Sequence, residues 1–355
     1  MVPNRMNNII IDPGALDQIA KHVPRAHAYA IISDTNVSKL YAERVIKQLP
    51  NAQLFEFPAG EANKNRETWA AISDLMIARG LGRDCCVIAL GGGVTGDMAG
   101  FVAATYMRGV PVVQVPTTLL AMIDASIGGK TGVDTPGGKN LIGAFHQPEL
   151  VLIDPNVLRT LPDAELSAGL SEAIKHGAIA DAQYMQWITE SIAAVFERRT
   201  HTLESLIRRS VEIKLDHVSD DPREQGKRAA LNFGHTIGHA LERVCNYAIS
   251  HGEAVAFGMI TEAYIGLTMG VTEHQAPDQL EEALVRTRTL PEPVSMPDVE
   301  DLLQATRADK KARRGAVRYT LLRDIGEVAR SEAGEWTVEV PDDVVRKALV
   351  LPRSV

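Results

Sequence analysis

Cys85-Cys86-Val87-Ile88-Ala89-Leu90 runs directly into Gly91-Gly92-Gly93-Val94-Thr95-Gly96-Asp97. A short apolar run bounded by glycine reads as a buried strand rather than a helix. Gly91, Gly93 and Gly96 satisfy Gly-x-Gly-x-x-Gly at a strand-to-helix turn. There the bare backbone can approach a pyrophosphate, and the helix N-terminus can stabilise its charge. A plain βα turn makes the same demand on the chain, so the pattern alone leaves the two readings about even. The acidic residue that ordinarily follows about 20 positions later to hold an adenosine ribose is absent, and Thr117 and Thr118 occupy that region. Asp97 is either a capping residue or a ribose ligand, and spacing does not decide between them.

Around this loop, short apolar runs alternate with amphipathic stretches. Ala28 to Ile32, Cys85 to Leu90, Val112 to Val115 and Val151 to Ile153 are strand-like, while Val37 to Gln48 and Glu67 to Arg79 have helical periodicity. This alternation predicts an α/β domain with a Rossmann-like, doubly wound parallel sheet and ligands at the carboxyl ends of its strands. From about Pro162 the texture becomes helical: Asp163 can cap a helix through Glu165, Glu172 and Lys175, and Thr202 to Asp216, Arg228 to Val244 and Glu253 to Met269 follow. One hairpin is expected near Arg318 to Val328. The expected organisation is an α/β domain over 1–160 and a mainly helical domain over 161–355.

Composition narrows the class. In 355 residues, 37 Lys and Arg against 45 Asp and Glu give a formal charge of −8, with no block of like charge suited to nucleic acid. The short cluster Lys310-Lys311-Ala312-Arg313-Arg314 is the main concentration of positive charge, and a small anionic substrate in a local basic pocket fits this balance. Cys85, Cys86 and Cys245 are too few for a disulfide framework and lack metal-site spacing. No apolar run reaches membrane-spanning length and none marks a signal peptide, so a cytoplasmic protein is expected.

Two further regions carry chemistry. Asp124-Ala125-Ser126-Ile127-Gly128-Gly129-Lys130 leads to Gly137-Gly138-Lys139-Asn140. Its backbone amides and two ammonium groups can cradle an oxyanion or phosphate, although a glycine-rich loop with solvated lysines looks the same. In the second half, Glu172, Lys175 and His176 share one helical face, and His235 and His239 form an i,i+4 pair upstream of His251. Pattern alone leaves four candidate histidines. Imidazole and carboxylate together suit a borderline divalent ion with a coordination position open for substrate oxygens. Lys214, Glu224, Arg228 and Asn232 extend the polar stripe, the last two on one expected helix with His235; a solvated surface is the plain alternative for Lys214 and Glu224. A glycine loop followed by an open metal site points to redox-assisted chemistry on a hydroxylated substrate.

Taken in order, Pro58-Ala59-Gly60-Glu61-Ala62-Asn63-Lys64, Gly91 to Asp97, Pro116 to Ala121, Asp124 to Asn140, Glu172 to Lys175, Asn232 to His239 and His251-Gly252-Glu253 resemble the 3-dehydroquinate synthase family across nearly the whole chain. The resemblance implies an NAD-binding α/β domain, a helical metal domain and a homodimer, working in the shikimate route to aromatic amino acids. It implies metal ligands Glu172, His235 and His251 for zinc or cobalt, which removes His176 and His239 from direct ligation. It assigns catalytic roles to Lys130, Lys175, Lys214, Asn232 and the substrate-contacting His239, and Glu224 joins this set. Asp124, Asn140, Arg228 and Lys310 would bind substrate, and Arg108 would reach the phosphate of a neighbouring subunit. For NAD the corresponding positions are Asp34, Asn36, Glu61, Lys64, Gly92, Gly93, Asp97, Thr117, Thr118, Lys139 and Thr160.

The implied reaction takes 3-deoxy-D-arabino-heptulosonate 7-phosphate to 3-dehydroquinate. Hydride passes to NAD, phosphate leaves by β-elimination, the hydride returns, the ring opens and an intramolecular aldol closes the carbocycle. Sister sugar-phosphate cyclases such as 2-deoxy-scyllo-inosose synthase share the fold and triad, but Arg228, Asn232 and His239 together favour the carboxylated substrate. A metal-dependent polyol dehydrogenase would not need Lys130, Asn140 and Arg108 around a phosphate. A catalytically dead NAD-binding module would have lost ligands or bases, and none of Glu172, His235, His251, Lys175 and Lys214 is missing.

Overall fold

A computed structural model describes residues 8–219, 221, 226–290, 297–307 and 317–350. Glu224 and Lys310 lie outside the described residues. Internal packing divides the chain into two compact units, Met1–Pro162 with Arg198–Val211, and Asp163–Glu197 with Glu212–Val355.

In chain order the first unit contains β1 (Ile9–Ile11), β2 (Ala28–Asp34), α1 (Ser38–Ile46), β3 (Ala52–Phe57), α2 (Arg66–Ala78), β4 (Cys85–Gly91), α3 (Gly93–Thr105), β5 (Val112–Pro116), β6 (Lys130–Thr135), β7 (Gly138–Phe145) and β8 (Leu150–Ile153). Six strands form one parallel sheet in the order β1-β8-β5-β4-β2-β3. β4, β5 and β8 are buried along their whole length and β2 nearly so, as a parallel sheet covered on both faces requires. Burying each Val, Ile or Leu there contributes about 1.5–3 kcal/mol of transfer free energy. β3 and β4 lie on opposite sides of β2, so the winding reverses between β2 and β4. Ile32 pairs with Ala89, which leaves Asp34 and Gly91 at neighbouring carboxyl ends. Such a reversal opens the crevice where α/β sheets bind ligands. β6 and β7 form a separate antiparallel hairpin.

The chain continues through α4 (Asp163–Ala180), α5 (Ala182–Glu190), α6 (Ile192–Phe196), α7 (Thr200–Val218), α8 (His235–Val244), α9 (His251–Thr268), α10 (Ala276–Arg286) and α11 (Val299–Arg307). Then come β9 (Arg318–Tyr319), β10 (Leu322–Asp324), β11 (Glu327–Val328), β12 (Val338–Glu339) and α12 (Asp342–Val350). α7 begins in the first unit and ends in the second. The hairpin expected near Arg318 to Val328 is β10–β11. α9 is apolar around nearly its full circumference and buried along most of its length, which makes it the axis of the second unit. No helix among the described residues is long and apolar enough to cross a membrane.

One expected element is different. Arg228 to Val244 is not a single helix: a 3-10 turn over Lys227–Asn232 is followed by Phe233 and Gly234, and only then does α8 begin. Gly234 adopts φ 80°, and a Cβ there would lie 2.4 Å from Met259 Cγ and 2.8 Å from the Val255 carbonyl oxygen. Arg228 and Asn232 therefore do not share a helical face with His235. The physical cause is tertiary: α9 approaches too closely for any larger residue at the bend.

Candidate active site

The carboxyl edge of the first sheet gathers the residues expected at NAD. Asp34 ends β2; its Oδ2 accepts from Thr95 Oγ1 at 3.0 Å, and its Oδ1 accepts from the backbone N–H groups of Asn36 and Val37 at 2.9 and 3.1 Å. Gly92 precedes α3 and Gly93 begins it, with no side-chain cap on the exposed N–H groups of the helix. An uncapped helix N-terminus at a glycine loop suits a pyrophosphate. Asp97, one turn into α3, receives the Lys64 ammonium at 2.5 Å, and Glu61 lies 3.8 Å from Lys64 and 3.9 Å from Lys139. Burial opposes the charge on Lys64, but Asp97 and Glu61 outweigh it and raise its pKa. Burial also pushes Asp97 up, against the pull of Lys64.

The remaining positions of this edge follow β5 and β8. Thr117 is buried, and its hydroxyl has no hydrogen-bond partner. Thr118 Oγ1 accepts from the Ala121 N–H at 3.1 Å. Thr160 Oγ1 lies 2.6 Å from the Tyr41 hydroxyl. An orphaned buried hydroxyl, an open helix start and a glycine loop, all at the winding reversal, fit a dinucleotide. Asp124 sits in a π-turn (Ala121–Ala125), Lys130 opens β6, and Lys139 and Asn140 lie on β7. Asn140 has φ 51° and donates its N–H to Asp134 Oδ1 at 2.8 Å. Arg108 is exposed in the turn after α3, with φ 66°.

The second unit brings three candidate ligands together. Glu172 is fully buried in the middle of α4, while His235 and His251 are the first residues of α8 and α9. Ser250 and Glu253 form a capping box, which is why α9 starts at His251. Gly252, the next residue, has no room for a side chain: a Cβ there would lie 2.4 Å from Ala168 Cα on α4. That contact sets the start of α9 one turn from Glu172.

One ligand atom from each of Glu172, His235 and His251 lies within 4.8 Å of the others. His235 Nε2 and His251 Nε2 are 3.4 and 3.5 Å from Glu172 Oε1, and the Lys175 ammonium rests against Oε2. Neither Glu172 oxygen has a hydrogen bond of good geometry despite these contacts. His235 Nδ1 lies 3.1 Å from the Phe233 carbonyl oxygen. A carbonyl only accepts, so Nδ1 carries the hydrogen and Nε2 turns a lone pair toward a carboxylate. Acceptors converging on one point are a cation's donor set, and two imidazoles with one carboxylate suit zinc or cobalt.

The two imidazoles are tuned in opposite directions. Burial, reinforced by the Lys175 charge, drives the His235 pKa down to about 3. Burial would also lower His251, but the Glu172 and Glu242 carboxylates beside its two ring nitrogens outweigh it and raise the value to about 10. Burial alone would raise Glu172, but Lys175 and His235 hold it well below the usual carboxylate range.

Of the other candidates, Lys175, Lys214 and Arg228 are buried in the second unit. Asn232 ends the 3-10 turn before α8. The His239 ring is 5.3 Å from His235 and 6.1 Å from His251, centre to centre. His176 is fully buried on α4, next to Lys175. Sequence reasoning passed over two buried carboxylates, Glu242 on α8 and Glu262 on α9. An acid in the middle of an apolar helix, as Glu262 is, was the available signal.

Comparison with known proteins agrees with the early resemblance. Residues 54–168 match the N-terminal profile of 3-dehydroquinate synthase and residues 169–312 its C-terminal profile. The chain is 42% identical over 344 residues to 3-dehydroquinate synthase of Symbiobacterium thermophilum, covering 95% of this chain and 93% of that one. Among solved structures it resembles 2-deoxy-scyllo-inosose synthase complexed with carbaglucose-6-phosphate, NAD+ and Co2+, with TM-score 0.87, 27% identity and coverage of 96% and 95% of the two chains. It also resembles the 2-epi-5-epi-valiolone synthase ValA from Streptomyces hygroscopicus with NAD+ and Zn2+ bound, with TM-score 0.87, 28% identity and coverage of 97% and 95%. The chain belongs to the 3-dehydroquinate synthase family.

Proposed function

We propose that the chain converts 3-deoxy-D-arabino-heptulosonate 7-phosphate to 3-dehydroquinate and phosphate, with one zinc or cobalt ion held by Glu172, His235 and His251. NAD is held at the winding reversal by Asp34, Asn36, Glu61, Lys64, Gly92, Gly93, Asp97, Thr117, Thr118, Lys139 and Thr160. The observation that carries this reading is the buried Glu172 carboxylate, facing two imidazole Nε2 atoms at 3.4 and 3.5 Å. When bound, NAD supplies a reversible hydride acceptor and the divalent ion supplies a Lewis acid for a substrate hydroxyl.

The chain's own residues bind, orient and move protons. Lys175 holds its ammonium against Glu172, where it can donate to a substrate hydroxyl and stabilise the charge left as that proton departs. Arg228 offers a planar fork matched to the substrate carboxylate. Lys130, Lys214, His239 and Glu224 complete the proton-handling groups, Asn232 orients the reacting substrate through its neutral amide, and Asp124, Asn140, Lys310 and Arg108 bind the polar substrate. The enzyme works as a cytoplasmic homodimer. In support of the dimer, β7 leaves the large apolar side chains Leu141, Ile142 and Phe145 exposed, Leu141 and Phe145 on one face of the strand, where a second copy would cover them.

The test is to supply this substrate with trace NAD and zinc, then follow phosphate and NADH together. Phosphate in large excess over NAD, without NADH build-up and blocked by a chelator, is expected. No phosphate from a protein carrying NAD and metal would redirect the reading to a sister cyclase. Steady NADH accumulation with a simple polyol would make it a dehydrogenase.

A further inference from the structure

The helices that begin with His235 and His251 each carry a buried carboxylate directed at the start of the other. On α9, fully buried Glu262 accepts the Gly234 N–H at Oε2, 2.7 Å away, and the N–H groups of Thr236 and Ile237 at Oε1, 3.1 and 3.2 Å away. These amides flank His235 on both sides. They are the first N–H groups of α8, which lacks a cap from its own N-cap residue because that residue is Gly234. Glu262 thus supplies from a neighbouring helix what an Asp or Ser N-cap supplies locally, with two charged acceptors in place of one.

The reverse contact runs from α8 to α9. Glu242, 2% exposed, places Oε2 3.5 Å from His251 Nδ1. That is the outer limit of a hydrogen bond, and it directs the opposite nitrogen, Nε2, at Glu172. A metal-binding histidine is oriented by the partner of its second nitrogen. For His235 that partner is the Phe233 carbonyl, whose position depends on the bend that Glu262 holds at Gly234.

We infer that Glu242 and Glu262 are positioning residues that clasp the paired helices crosswise, each fixing the histidine at the head of the other helix. The inference rests on the reading of Glu172, His235 and His251 as metal ligands. It explains why Glu242 and Glu262 are buried within this helix pair. It also predicts that each imidazole loses its aim when the carboxylate on the other helix is neutralised, although neither carboxylate belongs to the triad itself.

The test is titration of metal-free full-length protein with cobalt(II), read by the d–d absorption of the bound ion and by the binding constant. Wild type should take up one ion per chain, and His251→Ala none. If wild type binds no cobalt, the metal-centre reading itself falls and the clasp with it. With wild-type binding established, Glu242→Gln and Glu262→Gln should each weaken it about 10- to 100-fold and alter the spectrum. Glu262→Asp, which keeps the charge but is shorter, should give an intermediate constant if Glu262→Gln does not accumulate. Ile265→Val, a cavity in the same helix pair away from the histidines, should lower Tm and leave the cobalt constant and spectrum unchanged. Glutamine variants that bind cobalt within about threefold of wild type with its spectrum, or an Ile265→Val that weakens binding as much as they do, overturn the clasp.

Discussion

His235 and His251 look at the same carboxylate, yet one is driven to a pKa of about 3 and the other raised to about 10. Both are only partly exposed; the difference is that Lys175 acts on the first and Glu242 on the second. No spacing rule contains that information, because the decisive charges come from α4 and α8. The types of residue were legible: four histidines and Glu172 stood out as candidates, and the family resemblance selected three. Arg228 is a further case, since its residue type fits a carboxylate while its burial was unforeseeable from a polar stripe. Replacing it with alanine should raise KM for the carboxylated substrate roughly 10- to 150-fold, the equivalent of a charge-assisted hydrogen bond of about 1.5–3 kcal/mol. The NAD dissociation constant should stay near that of wild type. Steady-state kinetics with a separate NAD titration decide it, and equal losses in both would remove the carboxylate role.

The βα alternation around Gly91 to Asp97 was readable because a strand buried on both faces needs a continuous apolar run, and such runs are local. Helices were readable for the same reason, with one instructive failure at Arg228 to Val244. Periodicity continues through that stretch, but Gly234 turns left-handed beneath Met259 and the helix restarts at His235. Helix-to-helix approach is thus set by glycines whose neighbours lie far away in sequence. Gly252→Ala offers a direct check. In an ordinary helix this change stabilises by about 1 kcal/mol. Here the new methyl would meet the α4 backbone at Ala168, 2.4 Å away, and overpacking costs about 1–3 kcal/mol. A fall in Tm together with reduced zinc content is expected by thermal melting and metal analysis; a variant as stable as wild type with full zinc would refute the packing argument.

At the scale of the whole molecule, the proposed dimer rests on the exposed apolar side chains of β7. Leu141, Ile142 and Phe145 are 43%, 37% and 62% exposed in the isolated chain. Sedimentation should give a species of twice 38.5 kDa, and Phe145→Glu should shift it toward the monomer because a buried unpaired charge is costly. A monomeric wild type would remove the dimer. The residue types of the donor set stood among the His and Glu candidates from which the family resemblance selected three. The class of fold and the parallel sheet with its carboxyl-edge glycine loop were written in local patterns, apolar period and glycine punctuation. The break before α8, the meeting of Glu172 with two helix-initiating histidines, and the burial of Glu242 and Glu262 were not. Those depend on contacts between helices α4, α8 and α9, where glycine removes side-chain volume and a carboxylate from one helix satisfies the amides of another. Local pattern carries propensity and period, whereas the aim of a side chain in a packed interior is set by whatever lies against it.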